Sequence, residues 1–338
     1  WQRLLVMLAG VVFNMLLAFF IYSMVLFHWN DTYLPLKNVT MGMEYSQAAK
    51  NAGFQDGDIL LKADDKELDR FGVRTLLDVA DAKYVTVIRD GKEAQLPMSN
   101  DLMHNLLRDK EGFATYRFPT VVDKTAKGSN AEKAGLITGD SIISVNGEET
   151  PVFTEFKKKL DENKGKEIQL VIYRQGAPQT LTVQVDSAGL LGFYPQAIGY
   201  FYDIVTDKYG FFESFPAGIK RGIQELKDYV AQFKYVFTKE GATSLGGFGA
   251  MGQLFPPVWD WHSFWIMTAF LSVILAFMNV IPIPGLDGGH VLFLLYEMIT
   301  GRKPSQKFVE YAQITGLLLL LALVIYANGL DIIRAIIK

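Results

Sequence analysis

The residues best suited to chemistry lie in one short motif, N-x-x-P-x-P-x-L-D-G, at residues 279–288. It places an amide, Asn279, and a carboxylate, Asp287, at the end of an uncharged apolar run. A carboxylate at membrane depth is costly and usually marks a functional site with a compensating partner. Because two prolines interrupt the motif, its backbone cannot form a regular helix and must be buried in protein or line a cavity. The motif therefore predicts a metal ligand, Asp287, on broken backbone at the edge of a membrane span.

Three uncharged apolar segments would position this motif in a membrane. They occupy residues 4–27, 263–282 and 311–327, and a helix of about 20 residues crosses the hydrocarbon core of a bilayer. The loop before the third segment is basic and carries Arg302, Lys303 and Lys307. By the positive-inside rule this loop is cytoplasmic. Asp287 then lies near the cytoplasmic face, and the long polar middle of the chain lies outside the cytoplasm.

Composition argues against a nucleic-acid binder and excludes sites that need cysteine. The chain has 338 residues, is 50% hydrophobic and carries a formal net charge of −3. A near-neutral charge argues against a nucleic-acid binder held by phosphate contacts, so we expect no nucleic-acid partner. The absence of cysteine excludes disulfides and thiolate zinc sites. Trp1 is an unusual first residue, and we expect the chain to begin inside a longer protein.

The polar middle of the chain is an internal repeat. The pattern A-x-x-A-G-x-x-x-G-D occupies residues 49–58 and returns at residues 131–140. Each copy is followed by a short apolar strand, a helix-like segment and a hairpin, which turns at Asp90-Gly91 in the first copy and at Gln175-Gly176 in the second. The repetition predicts two tandem copies of one α+β module.

At these residues the two modules resemble PDZ domains, which bind a peptide as an added strand beside an edge strand and a helix. Neither copy has an obvious Gly-Leu-Gly-Phe loop for a peptide carboxylate, so rigid spacers or size filters are the alternative. We predict a multi-pass α-helical membrane protein with two inserted α+β PDZ domains. The predicted segments are a transmembrane helix at 1–30, PDZ domains at 34–100 and 112–187, an amphipathic helix and glycine-rich membrane-associated element at 188–260, and transmembrane helices with the motif at 261–338.

Two PDZ modules between spans, followed by this motif, resemble the site-2 protease family, specifically the bacterial regulators of envelope stress. The first span contributes G-V-V-F-N at residues 10–14, similar to the G-P-x-x-N of the family with Val11 in place of proline. The sequence S-L-G-G-F-G at residues 244–249 resembles the glycine-rich element of the family, also without its usual proline. Residues 279–288 match the last motif of the family at every defining position.

The resemblance implies a zinc metalloprotease that performs regulated intramembrane proteolysis in the bacterial inner membrane, with its PDZ domains extracytoplasmic. The implied substrates are single-pass membrane proteins, such as a pre-cleaved anti-sigma factor or remnant signal peptides. It implies Zn²⁺ held by Asp287 and by two histidines of an H-E-x-x-H helix. It also implies that Asn279 is a catalytic contact to the substrate backbone or to the developing oxyanion.

Further residues are expected to bind substrate. Because glycine permits close backbone approach, we expect a substrate extended as a strand to lie along Gly246, Gly247, Phe248 and Gly249. Residues 244–252, with Phe255-Pro256-Pro257, would supply the edge for that strand. Asn14 is either an active-site contact or a partner in an interhelical hydrogen bond. Apolar residues at helical spacing within residues 211–237 predict an amphipathic helix on the membrane surface or on the protein core.

The chain contains no H-E-x-x-H sequence. None of its four histidines has another at i, i+4 spacing; they are His28, His104, His262 and His290. We expect the missing helix to lie upstream of Trp1. If that helix was lost, the protein is a pseudoprotease or a non-catalytic membrane-anchored PDZ adaptor. His290 follows Asp287 by one helical turn, and we expect it to cap or pack its own helix rather than to bind metal.

Overall fold

The structure is a computed structural model that describes residues 2–99, 101–110, 112–256 and 258–337, so that Trp1 and Pro257 lie outside the described residues. The chain divides into two compact units. The helical unit comprises the chain up to Thr32 and from Thr206 onward, and the inserted unit comprises Tyr33–Val205. Two short strands, Asp31–Tyr33 (β1) and Val205–Asp207 (β14), lie where the chain passes from one unit to the other.

Within the described residues, three helices of the helical unit are long and apolar enough to cross a membrane, as predicted. They are Gln2–Trp29 (α1), Trp261–Val280 (α10) and Gln306–Ile337 (α12). Asp260 caps the start of α10, because its carboxylate accepts a hydrogen bond from the Ser263 backbone N–H at 2.7 Å. The remaining helices of this unit are Phe211–Val236 (α7), Lys239–Ser244 (α8), Phe248–Gly252 (α9) and Asp287–Thr300 (α11).

The core of the helical unit lies between α1, α7 and α10. Buried side chains of α1 pack there against Ala269 and Val273 of α10. The helix α7 approaches α1 so closely that a Cβ at Gly222 would lie 2.6 Å from the Phe19 ring. On its other side, the ring of Tyr229 lies 5.4 Å from that of Phe277 on α10. The amphipathic pattern therefore directs α7 onto the protein core, which was one of the two predicted locations.

The inserted unit contains two α+β modules, each with its own hydrophobic core. The elements of the first are Met43–Tyr45 (β2), Gln47–Asn51 (α2), Ile59–Ala63 (β3), Lys66–Glu67 (β4), Val73–Asp81 (α3), Tyr84–Arg89 (β5), Lys92–Pro97 (β6), Leu102–Asp109 (α4) and Ala114–Tyr116 (β7). Those of the second are Thr120–Thr125 (β8), Asn130–Lys133 (α5), Ser141–Val145 (β9), Glu148–Glu149 (β10), Phe153–Glu162 (α6), Glu167–Arg174 (β11), Ala177–Gln184 (β12) and Phe193–Pro195 (β13).

Strand pairing repeats between the modules. The strands β3, β5 and β6 form one antiparallel meander, and β9, β11 and β12 form another. Each module also pairs its first strand with its last, β2 with β7 and β8 with β13. The predicted bounds of 34–100 and 112–187 leave out these two closing strands. They are too short to give a periodic signal of their own, and each pairs with a strand far away in sequence.

The same ion pair lies at the same place in both modules. Arg89 donates two hydrogen bonds to the buried Asp58 carboxylate, at 2.8 and 2.6 Å, and a third to the Gly53 carbonyl at 2.9 Å. Arg174 repeats this arrangement on Asp140, with both distances at 2.7 Å. Hydrogen bonding to Asp58 raises the pKa of Arg89. The aspartate that ends each A-x-x-A-G-x-x-x-G-D motif thus binds the arginine that ends the hairpin strand.

Candidate functional site

Asp287 is the first residue of α11. Its side chain is exposed, and within the described residues no hydrogen bond or ion pair reaches its carboxylate. It faces the first span, because a Cβ at Gly10 would lie 3.8 Å from its Oδ2 atom. The partial positive charge at a helix N-terminus attracts anions. A carboxylate with no partner among the described residues can bind a cation at this position.

The backbone that leads to Asp287 is broken, as the two prolines predict. The helix α10 ends at Val280, and Gly285 takes a φ of +106°, in the region that favours glycine. Hydrogen bonds within this loop satisfy part of its backbone, with Ile283 N–H bonding the Ile281 carbonyl at 2.7 Å and Leu286 N–H bonding the Ile283 carbonyl at 3.0 Å. These hydrogen bonds restrain the loop although it is not helical.

Two glycines directly after Asp287 let α11 pack under this loop. A Cβ at Gly288 would lie 2.6 Å from the Val280 carbonyl oxygen, and one at Gly289 would lie 2.6 Å from the Ile283 carbonyl oxygen. Both distances are shorter than a Cβ tolerates against backbone. The D-G-G sequence thus has a packing reason: any larger residue would push the start of α11, and Asp287 with it, away from the loop.

The last span supports the loop from another side. A Cβ at Gly316 of α12 would overlap the carbonyl oxygen of Pro284. A Cβ at Gly285 would in turn lie 3.2 Å from the backbone nitrogen of Leu317. Loop and helix therefore touch backbone to backbone. This contact gives Gly316 a function that the apolar pattern of the span does not indicate.

The two asparagines singled out in the sequence lie on neighbouring spans. Asn279 is half-buried in the last turn of α10, and its amide has no hydrogen-bond partner among the described residues. Asn14 lies on α1, and its backbone carbonyl accepts a hydrogen bond from the Ser272 hydroxyl of α10 at 2.8 Å. An interhelical hydrogen bond therefore exists at Asn14, but it uses the carbonyl and leaves the Asn14 amide available.

The glycine-rich segment is not the extended edge that we predicted. Its residues from Phe248 to Gly252 form the short helix α9. Asp331 of α12 accepts hydrogen bonds from the backbone N–H groups of Gly247 and Ala250, both at 2.9 Å. Because these donors are engaged, they cannot pair with an added strand. The Phe248 side chain, 71% exposed, is free to contact a partner.

The polar residues of α12 that hold this segment were missed in the sequence. Asn328 accepts a hydrogen bond from the Phe248 backbone N–H at 3.1 Å, beside the two bonds to Asp331. Arg334 donates to the Thr243 carbonyl at 2.6 Å and contacts Asp331 at 3.3 Å. The signal that could have revealed them is the spacing i, i+3, i+6 of three polar residues at the end of an apolar span, which places all three near one helix face.

The described residues do not make a complete zinc site. A catalytic zinc needs three protein ligands, and no group of three His, Asp or Glu residues able to hold a metal occurs within the described part of the chain. The Nε2 atom of His290 lies 3.4 Å from that of Gln313 on α12, and the expected capping or packing of this histidine on its own helix stays a prediction. Asp287 is an unpaired oxygen donor on fixed backbone and fits one ligand position.

A cavity of about 320 Å³ lies beside the start of α11. It is lined by side chains of α1, α11 and α12, among them Met7, His290, Glu297, Glu310 and Gln313. Several of these side chains are polar although the three helices are mainly apolar. The helix that Asp287 begins therefore borders an open, mainly apolar groove with several polar side chains in its lining.

Comparison with known proteins assigns the family. A sequence model described as "Peptidase family M50" matches residues 1–323 of this chain. This match confirms the predicted resemblance to the site-2 proteases, and a bacterial regulator of envelope stress is also among the relatives. The "Regulator of sigma-E protease RseP" of Escherichia coli strain K12 is 27% identical over 351 residues, which cover 95% of this chain and 76% of that protein.

Two further relatives cover a smaller part of the chain. The protein Cj1068 of Campylobacter jejuni is 31% identical over 232 residues, 64% of this chain and 60% of that protein. The "Zinc metalloprotease RasP" of Geobacillus kaustophilus is 28% identical over 236 residues, 63% of this chain and 51% of that protein. The chain thus spans between one half and two thirds of the length of these two relatives.

Proposed function

The chain belongs to peptidase family M50, and on this premise we propose that the protein is a zinc-dependent intramembrane endopeptidase that cleaves single-pass membrane proteins. The observation that carries the proposal is the exposed Asp287 carboxylate, which has no partner among the described residues and lies on broken backbone between two helices able to span a membrane. Such a group at membrane depth is maintained for a partner that compensates its charge. The names of several relatives, RasP among them, contain the words zinc metalloprotease and suggest zinc as this partner.

Asp287 would supply one of three protein ligands, and the two histidines of an H-E-x-x-H helix, a motif that this sequence does not contain, would supply the others. When bound in such a site, zinc polarises a carbonyl and lowers the pKa of a bound water. The contribution of this chain is to hold the carboxylate. Gly288 and Gly289 let the start of α11 pack against the loop, and Gly316 lets α12 contact that loop, so the backbone that carries Asp287 is restrained.

Asn279 is our candidate for a direct contact to the substrate. Its amide is half-buried and has no partner among the described residues, so it can donate to a substrate carbonyl or to the oxyanion that forms during cleavage. The Asn14 amide on α1 is a second candidate of the same kind. Both amides belong to spans that pack against each other in the core of the helical unit.

We propose that the two modules of the inserted unit are PDZ domains. In the second module β13 is the terminal strand of its sheet, and the Phe193 ring of β13 lies 5.9 Å from the Phe156 ring of α6. An edge strand beside a helix suits an added peptide strand. The segment G-L-L-G-F at residues 189–193 precedes this edge, with positive φ at Gly189 and Gly192, and is a candidate carboxylate-binding loop that we overlooked in the sequence.

The substrate class follows from the arrangement of spans and modules along the chain. Modules outside the cytoplasm would exclude proteins with bulky outer domains and favour trimmed substrates, such as a pre-cleaved anti-sigma factor or a remnant signal peptide. The basic loop before α12 supports a cytoplasmic position for this end of the spans and hence cleavage near the cytoplasmic side. We propose the bacterial inner membrane as the location.

Measurements of zinc content and of the cleavage of a single-pass reporter in the full-length protein test this proposal. We expect about one zinc per chain and cleavage of a single-pass reporter substrate. Substitution Asp287→Ala should remove both, whereas Glu149→Ala, at an exposed acid of β10 in the second module, should remove neither. A full-length protein that holds no zinc and cleaves no single-pass reporter would refute the proposal and favour the non-catalytic adaptor.

A further inference from the structure

The short helix α9 begins without a cap of its own. Its N-cap residue is Gly247, which has no side chain to accept a hydrogen bond. The first backbone N–H groups of a helix have no partner within the helix and need an acceptor from elsewhere. In an apolar surrounding, a missing acceptor leaves these groups unsatisfied at considerable cost. The position of α9 therefore depends on whichever group supplies the acceptor.

The last span supplies it from a distant part of the chain. The Asp331 carboxylate accepts hydrogen bonds from the N–H groups of Gly247 and Ala250. The bond from Ala250 is the one that the side chain of an N-cap residue would otherwise accept. The Asn328 amide oxygen accepts from the N–H of Phe248 between them. Gly247 must be glycine for this contact, because a Cβ there would lie 2.9 Å from the Asn328 Cα atom.

Arg334 completes the arrangement. It contacts the Asp331 carboxylate at 3.3 Å and so offsets part of its charge. It also donates to the Thr243 carbonyl at 2.6 Å, close to the C-terminal end of α8, where a cation is favoured by the helix dipole. The end of α12 therefore holds the end of α8 and the start of α9, the two sides of the glycine-rich turn.

We propose that Asn328, Asp331 and Arg334 form a polar clamp that positions α9 for contact with the substrate. This inference rests on the proposed function, because it assumes that the glycine-rich segment binds substrate. The clamp engages only backbone groups, and it leaves the apolar side chains of Phe248, Met251 and Leu254 exposed for a substrate helix. These are positioning residues: they act through α9 and do not touch the reacting atoms.

The clamp should affect substrate binding rather than the chemical step. Gly316, which supports the loop before Asp287, and Asp331 lie on the same helix. At a rise of about 1.5 Å per residue, they are about 22 Å apart along its axis. A change at Asp331 is therefore remote from Asp287, and it should raise KM while kcat and zinc content stay near their original values.

A cysteine pair tests the geometry directly, since this chain contains no cysteine. A Cβ at Gly249 would lie 3.6 Å from the Asp331 Cβ, within the range that a disulfide requires. We expect the Gly249→Cys/Asp331→Cys variant of the full-length protein to form this disulfide on mild oxidation. The Gly252→Cys/Asp331→Cys variant is the matched control and should not, because a Cβ at Gly252 has nothing within 4 Å. Absence of a disulfide in the first variant would overturn the clamp.

Kinetics with a single-pass reporter test its function. We expect Asp331→Ala to raise KM by about 10-fold or more, since charge-assisted hydrogen bonds are lost, and Asp331→Asn to have a smaller effect because one acceptor oxygen remains. In the Gly249→Cys/Asp331→Cys variant, the oxidised form should have a lower KM than the same protein after reduction. Equal KM values for the two forms, or an unchanged KM in Asp331→Ala, would overturn the inference.

These outcomes are separable from failure of the proposed function. If the original full-length protein cleaves no single-pass reporter and binds no zinc, the proposed function fails, and the clamp loses its purpose with it. If the original protein cleaves the reporter and loses cleavage on Asp287→Ala, the proposed function holds. In that case an unchanged KM in Asp331→Ala refutes the clamp alone.

Discussion

The contact between Gly316 and the loop before Asp287 gives a sharp prediction about the site. In α12 a Cβ at residue 316 would overlap the Pro284 carbonyl oxygen and lie 3.1 Å from the Pro284 Cα atom. Carbon atoms at normal contact are about 3.5–4.0 Å apart. The substitution Gly316→Ala must therefore move the loop or the helix on the order of 1–2 Å. Since Asp287 directly follows this loop, its carboxylate moves as well.

Stability and function should respond to Gly316→Ala by different amounts. Overpacking costs about 1–3 kcal/mol, and alanine recovers about 1 kcal/mol over glycine through helix propensity. The net loss of stability is therefore at most about 2 kcal/mol. A misplacement of about 1 Å near the reacting groups can reduce the rate about 100-fold. We expect a protein that is folded, with reduced zinc content and a kcat/KM about 100-fold lower.

Gly329 provides the matched control on the same helix. A Cβ at residue 329 has nothing within 4 Å, so Gly329→Ala should stabilise the helix by up to about 1 kcal/mol and leave activity unchanged. Zinc content, thermal unfolding and cleavage of a single-pass reporter are measured on both variants in the full-length protein. The reasoning is refuted if Gly316→Ala retains the zinc content and kcat/KM of Gly329→Ala, because α12 would then not fix the loop.

Two further predictions concern the ion pair of the first module and the proposed substrate amide. Substitution Arg89→Met leaves the buried Asp58 charge unpaired and should lower the free energy of unfolding by about 3–5 kcal/mol in chemical denaturation. The control Arg108→Met removes an exposed ion pair with Asp109 and should lower it by no more than about 1 kcal/mol. Equal losses of stability in the two variants would contradict the reasoning. Substitution Asn279→Ala should lower kcat about 100-fold, the effect of losing one oxyanion donor, with zinc content unchanged; unaltered cleavage would exclude this contact.

The sequence was most informative where local chemistry alone determines structure. The three spans follow from uncharged apolar length, which no packing detail can override. The two hairpins turn at Asp90-Gly91 and Gln175-Gly176, as predicted, and all four residues have positive φ. Such turns require residues that tolerate this conformation, so the dipeptides themselves reveal the turns. The ion pairs of Asp58 and Asp140 add a structural reason for the aspartate that ends each repeat.

The sequence was least informative where backbone groups contact residues that are far away in sequence. The segment at residues 244–252 has the glycine content of a strand edge or a loop. However, side chains of α12 accept hydrogen bonds from three of its backbone N–H groups, and its second half forms the helix α9. Nothing near these glycines in sequence indicates an acceptor that lies about 80 residues away. The same limit applies to Gly316, which reads as one small residue in an apolar span but lies against the Pro284 carbonyl.

Both contacts give the last span a part in the proposed site although it contributes no proposed catalytic residue. Gly316 supports the loop that carries Asp287, and Asp331 supports the glycine-rich segment. At a rise of about 1.5 Å per residue, these two supports are about 22 Å apart along α12. They therefore act on separate parts of the proposed site. Substitutions at Gly316 should then act on kcat and those at Asp331 on KM, and a helix that only anchored the protein in the membrane would not produce this separation.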